Sequence, residues 1–223
     1  MAQSKDKSNG MPADTPVPKA VVSRLSLYLR ELQHLVRDGQ ETTSSTQLGN
    51  VLGFTDAQVR KDLAYFGQFG YPGIGYRCEE LIHEIKRILG TDRSWPVAMV
   101  GAGNLGRALV GYKGFGQQGF RVAAVFDIDA SKIGREIDGV TIYGLDQISQ
   151  VVAEKGIRLA ILAVPASAAQ EVAEKLTEAG IDGILNFAPV TIGSSERINT
   201  VGVDLAIELE QLSFAVVNRA NKS

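Results

Sequence analysis

Apolar residues recur at steps of three and four positions through the N-terminal part of the chain, which is the period of an amphipathic helix. In the first such segment, which begins near Pro18, the apolar positions are Val22, Leu25, Leu29, Leu32 and Val36. Glycines end each segment, and hydroxyl or carboxyl residues suited to capping a helix begin the next. The pattern predicts three helices, at about 18–39, 44–53 and 55–67.

Glycine and aromatic residues replace this period between Phe69 and Tyr76, where we predict a short hairpin. A fourth helix from Glu79 to Leu89 follows, and residues 90–96 form a linker. Short helices joined by a glycine-containing turn and followed by a hairpin are typical of a winged helix-turn-helix domain. A generic three-helix bundle with a charged, solvated face is the alternative, because nine basic residues stand against eight acidic ones over positions 19–87.

From Val97 onward, strand-like and helix-like segments alternate. The strand segments are 97–100, 121–126, 140–143, 158–164, 183–187 and 198–203. The helix segments are 104–113, 145–155, 167–179 and 204–218. Continuous apolar runs such as Leu159 to Val164 suit strands that are covered on both faces. We therefore predict an α/β domain with a doubly wound, Rossmann-like parallel sheet.

The first strand of this domain leads into a glycine-rich turn, Gly101-Ala102-Gly103-Asn104-Leu105-Gly106. In such a turn the first glycine permits the bend, the second lets the backbone approach a pyrophosphate, and the third lets helix and strand pack closely. The second strand ends in Asp127, 21 positions after Gly106, where an acid can bind the adenosine ribose. The sequence therefore predicts a dinucleotide site, with a glycine-rich packing turn as the alternative.

The predicted third helix carries side chains that could read DNA in the major groove, away from its apolar face. These candidates are Gln58, Arg60, Lys61 and Tyr65. Side chains of these types reach base edges or phosphates. The hydroxyls of Ser44 and Ser45, at the start of the second helix, could bind the phosphate backbone.

No catalytic group accompanies the nucleotide site in the sequence. A nicotinamide dehydrogenase needs a proton donor or acceptor near the hydride, yet both histidines, His34 and His83, precede the nucleotide domain. The Tyr-x-x-x-Lys pair of short-chain dehydrogenases and the Gly-x-x-x-x-Gly-Lys phosphate loop are both missing. We therefore expect a protein that binds a nucleotide and is not an enzyme.

The last helix, Asp204 to Asn218, is apolar around most of its circumference. A helix of this kind must be buried on nearly every side, which a terminal helix of a small domain seldom achieves within its own chain. We expect it to insert into a second subunit of a homodimer, the commonest oligomer. Packing against the edge of its own domain is the alternative.

The composition, 44% hydrophobic and 22% charged over 223 residues, is that of an ordinary globular protein. No apolar run approaches the roughly 20 residues of a membrane span, and no signal peptide pattern opens the chain. The single cysteine, Cys78, fits a reducing cytoplasm. We expect a cytoplasmic protein with no membrane or metal partner, and a disordered polar tail at residues 1–16.

Several stretches between Pro18 and Asn218 resemble one known family. They are Pro18-Lys19-Ala20, Ser23-Arg24-Leu25, Thr43-Ser44-Ser45, Gln58 to Gly67, Gly73-Ile74-Gly75-Tyr76, Gly101 to Gly106, Ala163-Val164-Pro165 and Ile184 to Pro189. On these motifs the chain resembles the Rex family of redox-sensing transcriptional repressors. The resemblance implies a homodimer with an N-terminal winged helix, a Rossmann domain that binds NADH and NAD⁺, and a swapped last helix. It also implies that the protein binds palindromic double-stranded operator DNA and releases it when NADH rises.

The resemblance implies roles for further residues. Val164, Pro165 and Phe187 would join the glycine turn in binding the dinucleotide. Tyr112 and Asp204 would sense its nicotinamide end, and Asp204 would exchange between Arg30 and Tyr112 as a switch. The predicted divisions are a tail at 1–16, a winged helix at 17–90, a Rossmann domain at 91–203 and a dimerisation helix at 204–223.

Two other functions compete with this one. A small NAD-dependent reductase could use the N-terminal helices only to dimerise, and a nucleotide-binding structural subunit would need no DNA at all. The sequence also departs from the family at Pro72, where many members carry Arg or Lys just before Gly-x-Gly-Tyr. A minor-groove contact from the wing tip is therefore not expected here, unless Arg77, or Lys5 and Lys7 in the tail, supplies it.

Overall fold

The computed structural model of the chain describes residues 17–193 and 198–220. The predicted tail at 1–16 and the candidate contacts Lys5 and Lys7 lie outside the described residues. The chain forms two compact units, divided between Arg93 and Ser94. The division falls inside the predicted linker, but the first strand of the second unit begins earlier than expected, at Trp95.

The first unit is helical with a small two-stranded sheet. Its elements are α1 (Lys19–Arg37), β1 (Thr42–Thr43), α2 (Ser45–Leu52), α3 (Asp56–Ala64), β2 (Tyr76–Arg77) and α4 (Cys78–Leu89). Ser44 and Thr55 cap α2 and α3, since each hydroxyl oxygen accepts a backbone N–H three residues on. The two helices form the predicted helix-turn-helix, and a common apolar core includes Leu25, Tyr28, Leu48, Val59, Leu81 and Ile85.

Two details of the first unit differ from the prediction. Val22, which was assigned to the apolar face of the first helix, is exposed, and Val21, Tyr28 and Leu35 join Leu25, Leu29 and Leu32 as its buried positions. The predicted hairpin at 69–76 is reduced to one bridge between Tyr71 and Gly75. The chain closes a tight turn between Tyr71 and Gly75, whose backbone N–H groups each donate to the other's carbonyl oxygen. The wing strand β2 pairs instead with β1, which precedes the helix-turn-helix.

The second unit alternates strands and helices. Its elements are β3 (Trp95–Val100), α5 (Asn104–Val110), α6 (Lys113–Gln117), β4 (Phe120–Asp127), β5 (Glu136–Ile137), β6 (Val140–Gly144), a 3₁₀ turn (Leu145–Gln147), α7 (Ile148–Lys155), β7 (Leu159–Leu162), α8 (Ala166–Glu178), β8 (Gly183–Asn186), β9 (Asn199–Gly202) and α9 (Leu205–Ala220). The helix predicted at 104–113 is therefore two shorter helices, which Gly111 and Tyr112 separate.

The strands form one sheet in the order β5-β6-β4-β3-β7-β8-β9. Every pair except β5–β6 is parallel. Alternate residues of β3 belong to different apolar clusters, Ala98 and Val100 to one and Val97 and Met99 to the other. Both faces of the sheet are therefore covered, and the predicted doubly wound fold is confirmed.

Chain order reverses between β3 and β7, because β4 lies on one side of β3 and β7 on the other. In open parallel sheets this reversal opens a crevice at the carboxyl ends of the two strands. The glycine turn at 101–106 leaves β3 at this point, and residues 163–165 leave β7 beside it. The fold thus brings both stretches to the edge of the sheet where such domains bind ligands.

The last helix, α9, is exposed along its described length. Leu209, Leu212, Phe214 and Val216 each leave more than three fifths of their surface open, with Phe214 at 71%. The alternative expectation, that this helix packs against the edge of its own domain, is not met.

None of the helices among the described residues has the length and apolar character of a membrane-spanning segment. Within the same residues, no three histidine, cysteine, aspartate or glutamate side chains come together as a metal site.

Candidate functional site

The glycine turn after β3 is tightly packed at two of its glycines and open at the third. Gly101 has a φ of +100°, and a Cβ there would overlap the carbonyl oxygen of Ala163. A Cβ at Gly106 would overlap the carbonyl oxygen of Gly101. Around Gly103, by contrast, a Cβ would meet no atom within 4 Å. The turn therefore has the close packing and the open approach that a pyrophosphate site requires.

Main-chain hydrogen bonds hold the neighbouring loops at the same edge of the sheet. The Ala163 N–H donates to the Val100 carbonyl oxygen at 2.8 Å, and the Phe187 N–H donates to that of Leu162 at 2.8 Å. Val164 and Phe187 are half-buried, whereas Pro165 is exposed. Asn104 and Leu105, at the start of α5, are also exposed. These predicted cofactor residues thus share one edge of the sheet with the glycine turn.

Asp127 is nearly buried, and its carboxylate faces the glycine turn. Oδ2 accepts the Ala102 N–H at 2.7 Å and the Lys132 ammonium at 3.1 Å, while Oδ1 accepts the Asp129 N–H at 2.9 Å. Burial alone would raise the pKa of Asp127, but these donors outweigh it and the pKa lies below its usual value. The carboxylate is therefore ionised at neutral pH and helps to hold the turn.

The arrangement qualifies the expected role of Asp127 in ribose binding. A carboxylate oxygen has two lone pairs. Oδ1 of Asp127 accepts one hydrogen bond, from the Asp129 N–H, and so keeps one acceptor position. The Lys132 ammonium also offsets part of the negative charge by which Asp127 would disfavour a 2′-phosphate on the ribose. The sequence analysis did not predict this ion pair.

Tyr112 lies between α5 and α6 with 57% of its surface exposed. Its ring packs edge-on against Phe115, with 5.1 Å between ring centroids. A Cβ at Gly114 would overlap the same ring, so the absence of a side chain at Gly114 lets Tyr112 adopt this position. The sequence analysis did not identify Gly114, although a glycine two positions after Tyr112 could have indicated that the tyrosine ring needs this space.

The other two switch candidates are placed as follows. Asp204 caps α9, because its Oδ1 accepts the Ala206 N–H at 2.9 Å and the Ile207 N–H at 3.4 Å. Arg30 is exposed on α1 and forms no ion pair within the described residues. Asp204 and Arg30 belong to different compact units.

Asn186, at the end of β8, was not predicted as a site residue, yet it organises the loop that carries Phe187. It is 2% exposed; its Oδ1 accepts the Ala188 N–H at 2.9 Å, and its Nδ2 donates to the Val190 carbonyl oxygen at 2.8 Å. A polar residue at the end of a buried apolar strand was the signal that could have identified it.

The basic residues of α3 differ in their freedom. Arg60 forms an ion pair with Asp56 at 2.8 Å and donates a hydrogen bond to the Ser45 hydroxyl at 3.1 Å. Lys61 is exposed and has no ion-pair partner in the described part of the chain. Ser45 is buried against Arg60, whereas Ser44 is exposed and its hydroxyl proton remains available to a phosphate. Lys61 and Ser44 are therefore the groups most available to DNA.

A buried polar cluster, which we call the Asp62 cluster, joins α1 to α3. It consists of Asp62, Arg24, Tyr28 and Gln58. Arg24 donates to both carboxylate oxygens of Asp62, from Nε at 2.6 Å and from Nη2 at 2.8 Å. The Tyr28 hydroxyl donates at 2.8 Å, and the Gln58 Nε2 donates at 2.8 Å. Asp62 itself is 0% exposed.

The electrostatics of the Asp62 cluster keep Asp62 charged and Tyr28 protonated. Burial raises the pKa of Asp62, but the hydrogen bonds from Arg24, Tyr28 and Gln58 outweigh it, and the pKa lies below its usual value. Burial, reinforced by the nearby Asp62, raises the pKa of Tyr28. The sequence analysis placed Gln58 among the DNA contacts but did not detect that a buried carboxylate holds it.

The wing residue Arg77 is engaged within its own unit. It pairs with Glu80 at 2.9 Å and lies over the Tyr71 ring at 5.0 Å from its centroid. Tyr71 also donates to Glu80 at 3.0 Å. Among the described residues, the wing therefore has no unpaired basic side chain that could take the place of the one missing at Pro72.

Two family models match successive parts of the chain. One, described as "Putative DNA-binding protein N-terminus", matches residues 16–64 and covers the helix-turn-helix. The other, described as "CoA binding domain", matches residues 92–190 and covers the glycine turn, Asp127 and Phe187.

Individual proteins match nearly the whole chain. The redox-sensing transcriptional repressor Rex of Pelotomaculum thermopropionicum is 44% identical over 93% of this chain and 97% of its own length. That of Carboxydothermus hydrogenoformans is 46% identical over 90% and 96%. The crystal structure of RSP in complex with NAD⁺ and operator DNA is 34% identical, with a TM-score of 0.87, over 93% of this chain and 95% of RSP.

A second RSP structure, in complex with NADH, is 32% identical with a TM-score of 0.83 and covers 93% of this chain and 97% of its own. The predicted winged-helix and Rossmann-like architecture agrees with both, and so does the expectation of a regulator in place of an enzyme. Identity of this extent over both compact units leaves one assignment. The chain belongs to the Rex family of redox-sensing transcriptional repressors.

Proposed function

We propose that this protein represses transcription by binding palindromic operator DNA as a homodimer, and that it leaves the DNA when NADH rises. The observation that carries the proposal is the 44% identity to a redox-sensing repressor over 93% of the chain. Because that identity spans both units, it includes the helix-turn-helix unit as well as the nucleotide unit. A repressor of this kind acts where the DNA is, in the cytoplasm of a bacterial cell.

The glycine turn and its neighbours would hold the dinucleotide. The open space at Gly103 fits a pyrophosphate against the backbone N–H groups that follow it, and Val164, Pro165 and Phe187 border the same crevice. Asp127 supports the turn through Ala102 and offers its remaining acceptor position to the ribose. The bound dinucleotide supplies a charge difference, because its nicotinamide ring is cationic in NAD⁺ and neutral in NADH.

The N-terminal unit would bind the operator through α3. Lys61 is free to contact a phosphate or a base, Tyr65 is half-buried near the end of the same helix, and Ser44 offers a hydroxyl. Arg60 would exchange its contacts with Asp56 and Ser45 for contacts to DNA. Phosphate contacts of this kind give affinity, and base contacts from the start of the helix give sequence preference.

The homodimer is supported by α9. Seven large apolar side chains on this helix are exposed: Leu205, Ile207, Leu209, Leu212, Phe214, Val216 and Val217. Contiguous apolar surface of this kind marks a protein interface. Insertion of α9 into a second copy of the chain would bury it and would bring the Asp204 of each copy towards its partner.

The switch would use Asp204 as its exchanging residue. Without NADH, Asp204 pairs with Arg30 and holds the two DNA readers at a spacing of about one helical turn of DNA. With NADH bound, Tyr112 takes Asp204, and the readers move out of register. Asp204 can cap α9 in both states, because its cap uses only Oδ1.

A mobility-shift experiment tests the proposal. The full-length protein is mixed with a labelled duplex carrying a palindromic A·T-rich operator, and NADH or NAD⁺ is titrated at fixed salt. We expect a shifted complex, and we expect NADH to dissociate it at a much lower concentration than NAD⁺ does. Binding that ignores both dinucleotides, or no binding to any such duplex, would contradict the proposal.

A further inference from the structure

Gln58 is the third residue of α3. It therefore lies in the N-terminal part of the recognition helix, which is the part that contacts base edges in helix-turn-helix proteins. Its Nε2 donates to Oδ1 of Asp62, one turn along the same helix. We propose that Asp62 fixes the orientation of the Gln58 amide and thereby makes Gln58 a reader of adenine. The proposal rests on the DNA-binding function above and names the base that this part of α3 recognises.

The Asp62 carboxylate cannot turn away from Gln58. Arg24 and Tyr28 occupy Oδ2, and Arg24 and Gln58 occupy Oδ1. These four bonds use the roughly four acceptor positions that a carboxylate offers. The bidentate contact from Arg24 also defines the plane of the carboxylate, since the guanidinium is planar. Asp62 is thus a fixed acceptor beneath Gln58.

A fixed acceptor determines which end of the Gln58 amide faces it. An ionised carboxylate only accepts hydrogen bonds, so the amide must point its nitrogen inward. A flipped amide would bring Oε1 against Oδ1 and place two acceptors together where water is excluded, which is costly. The oxygen and nitrogen of the amide are nearly alike in size, and the hydrogen-bond network therefore assigns the orientation of the Gln58 amide.

The orientation leaves Gln58 with a defined recognition edge. One N–H is bound to Asp62, so Oε1 and the second N–H remain for DNA. Adenine presents the matching pair in the major groove, a donor at N6 and an acceptor at N7. Guanine presents two acceptors, N7 and O6, and would face Oε1 with one of them. Asp62 thus acts as a positioning residue that excludes guanine without touching DNA.

The test is selection from a duplex library with randomised positions, using the full-length protein without NADH and sequencing the bound fraction. Gln58→Met replaces the amide with an apolar side chain of similar length and identifies the operator position that Gln58 reads. We expect the parent to prefer adenine over guanine there by about tenfold or more. The Gln58→Met variant should show little preference at that position and keep the others.

Two variants of the Asp62 cluster separate positioning from general stability. Asp62→Asn offers an N–H as well as an oxygen, so the Gln58 amide can take either orientation, and the adenine preference should fall several-fold at the same position. Tyr28→Phe is the matched control, because it removes a hydrogen bond to Oδ2 and leaves the Gln58 contact at Oδ1. It should keep the adenine preference.

Three results would overturn the proposal: guanine selected by the parent at the Gln58 position, no change in any position with Gln58→Met, or equal loss of preference in Asp62→Asn and Tyr28→Phe. If circular dichroism shows that Asp62→Asn does not fold, the parent and Gln58→Met decide between adenine and guanine. A parent that selects no sequence at all would remove the DNA-binding function itself, and this proposal with it.

Discussion

At the scale of single residues, Arg60 and Lys61 are adjacent in sequence but differ in what holds them. The sequence could predict both as exposed cations on α3. It could not predict that Asp56 and Ser45 engage Arg60, because Ser45 lies fifteen positions away and meets it only in the folded helix-turn-helix. Contacts between distant side chains are set by packing, which a pattern along the chain does not encode.

Lys61→Ala should weaken binding to all DNA sequences without unfolding the protein, because the side chain is exposed and unpaired among the described residues. Loss of one phosphate contact should reduce the slope of log affinity against log salt by about 1. Fluorescence anisotropy at several salt concentrations measures this. Lys155→Ala, which removes an exposed lysine from the nucleotide unit, is the control with the same charge change. An unchanged slope for Lys61→Ala would mean that Lys61 is not a phosphate contact.

Asp127 supports the glycine turn and carries the charge that would disfavour a 2′-phosphate. Asp127→Asn should weaken NADH binding and narrow the preference for NADH over NADPH, because the charge is lost and Lys132 keeps only its longer pair with Asp129. Titration of both nucleotides by their fluorescence gives the two affinities. Glu178→Gln removes an exposed carboxylate at the end of α8, and as the matched control it should leave the ratio unchanged. Equal tightness of NADH and NADPH in the parent would refute the assignment.

At the scale of elements, the Asp62 cluster joins α1 to α3 through a buried ion pair. Because the pKa of Asp62 is lowered in the folded protein, its ionisation stabilises the fold above the ordinary Asp pKa of about 4. That stabilisation is lost as the pH falls through the lowered pKa. Arg24→Leu leaves the buried carboxylate without its cation and should cost about 3–5 kcal/mol.

Urea unfolding of the full chain, followed by circular dichroism from neutral pH to about pH 3, tests this coupling. The parent should lose stability below about pH 4 more steeply than Asp62→Asn, in which the titrating group is absent. Asp56→Asn, on the same helix but with a carboxylate that is 43% exposed, is the control. Identical acid profiles for the parent and Asp62→Asn would show that the cluster does not titrate with folding.

Most helices and strands could be predicted because their signals are local. The caps at Ser44 and Thr55 and the apolar runs of β3 and β7 each follow from a few neighbouring residues. The hairpin of β5 and β6 was missed, although Asp138-Gly139, both with positive φ, is a strong two-residue turn signal. The wing was overpredicted because the partner of β2 is β1, more than thirty positions earlier, and only tertiary pairing reveals it.

At the scale of the whole molecule, α9 is the helix whose apolar surface a single chain leaves exposed. Leu212→Glu places a charge on a side chain that is 62% exposed in one chain, so it should cost an isolated chain less than about 0.5 kcal/mol. In a dimer that buries α9, the same charge should break the interface. Sedimentation equilibrium should therefore find a mass of 23.9 kDa for this variant and twice that for the parent. Gln211→Glu adds the same charge at the neighbouring exposed polar position and should remain dimeric.

In the proposed switch the redox response would be a property of the whole dimer, because Arg30 and Asp204 lie in different compact units and only the family resemblance joins them with Tyr112. A ligand moves a two-state equilibrium from 1:99 to 99:1 only if it favours one state by about 10⁴-fold. Linkage then requires that operator DNA weakens NADH binding by the same factor by which NADH weakens DNA binding. Measuring NADH affinity with and without operator DNA therefore tests the switch independently of any variant.

Three variants assign the parts of the switch. Tyr112→Phe keeps the ring against Phe115 but removes the hydroxyl, so DNA binding should stay near normal while release needs about tenfold more NADH, the loss expected for one hydrogen bond to a charged group. Asp204→Asn preserves the cap of α9, since Asn caps as well as Asp, but removes the charge that pairs with Arg30, and should weaken DNA binding. Asp204→Ala loses both, and should also destabilise the helix by about 1 kcal/mol. If all three release DNA at the parent's NADH concentration, Asp204 is a helix cap alone and the redox signal travels through other residues.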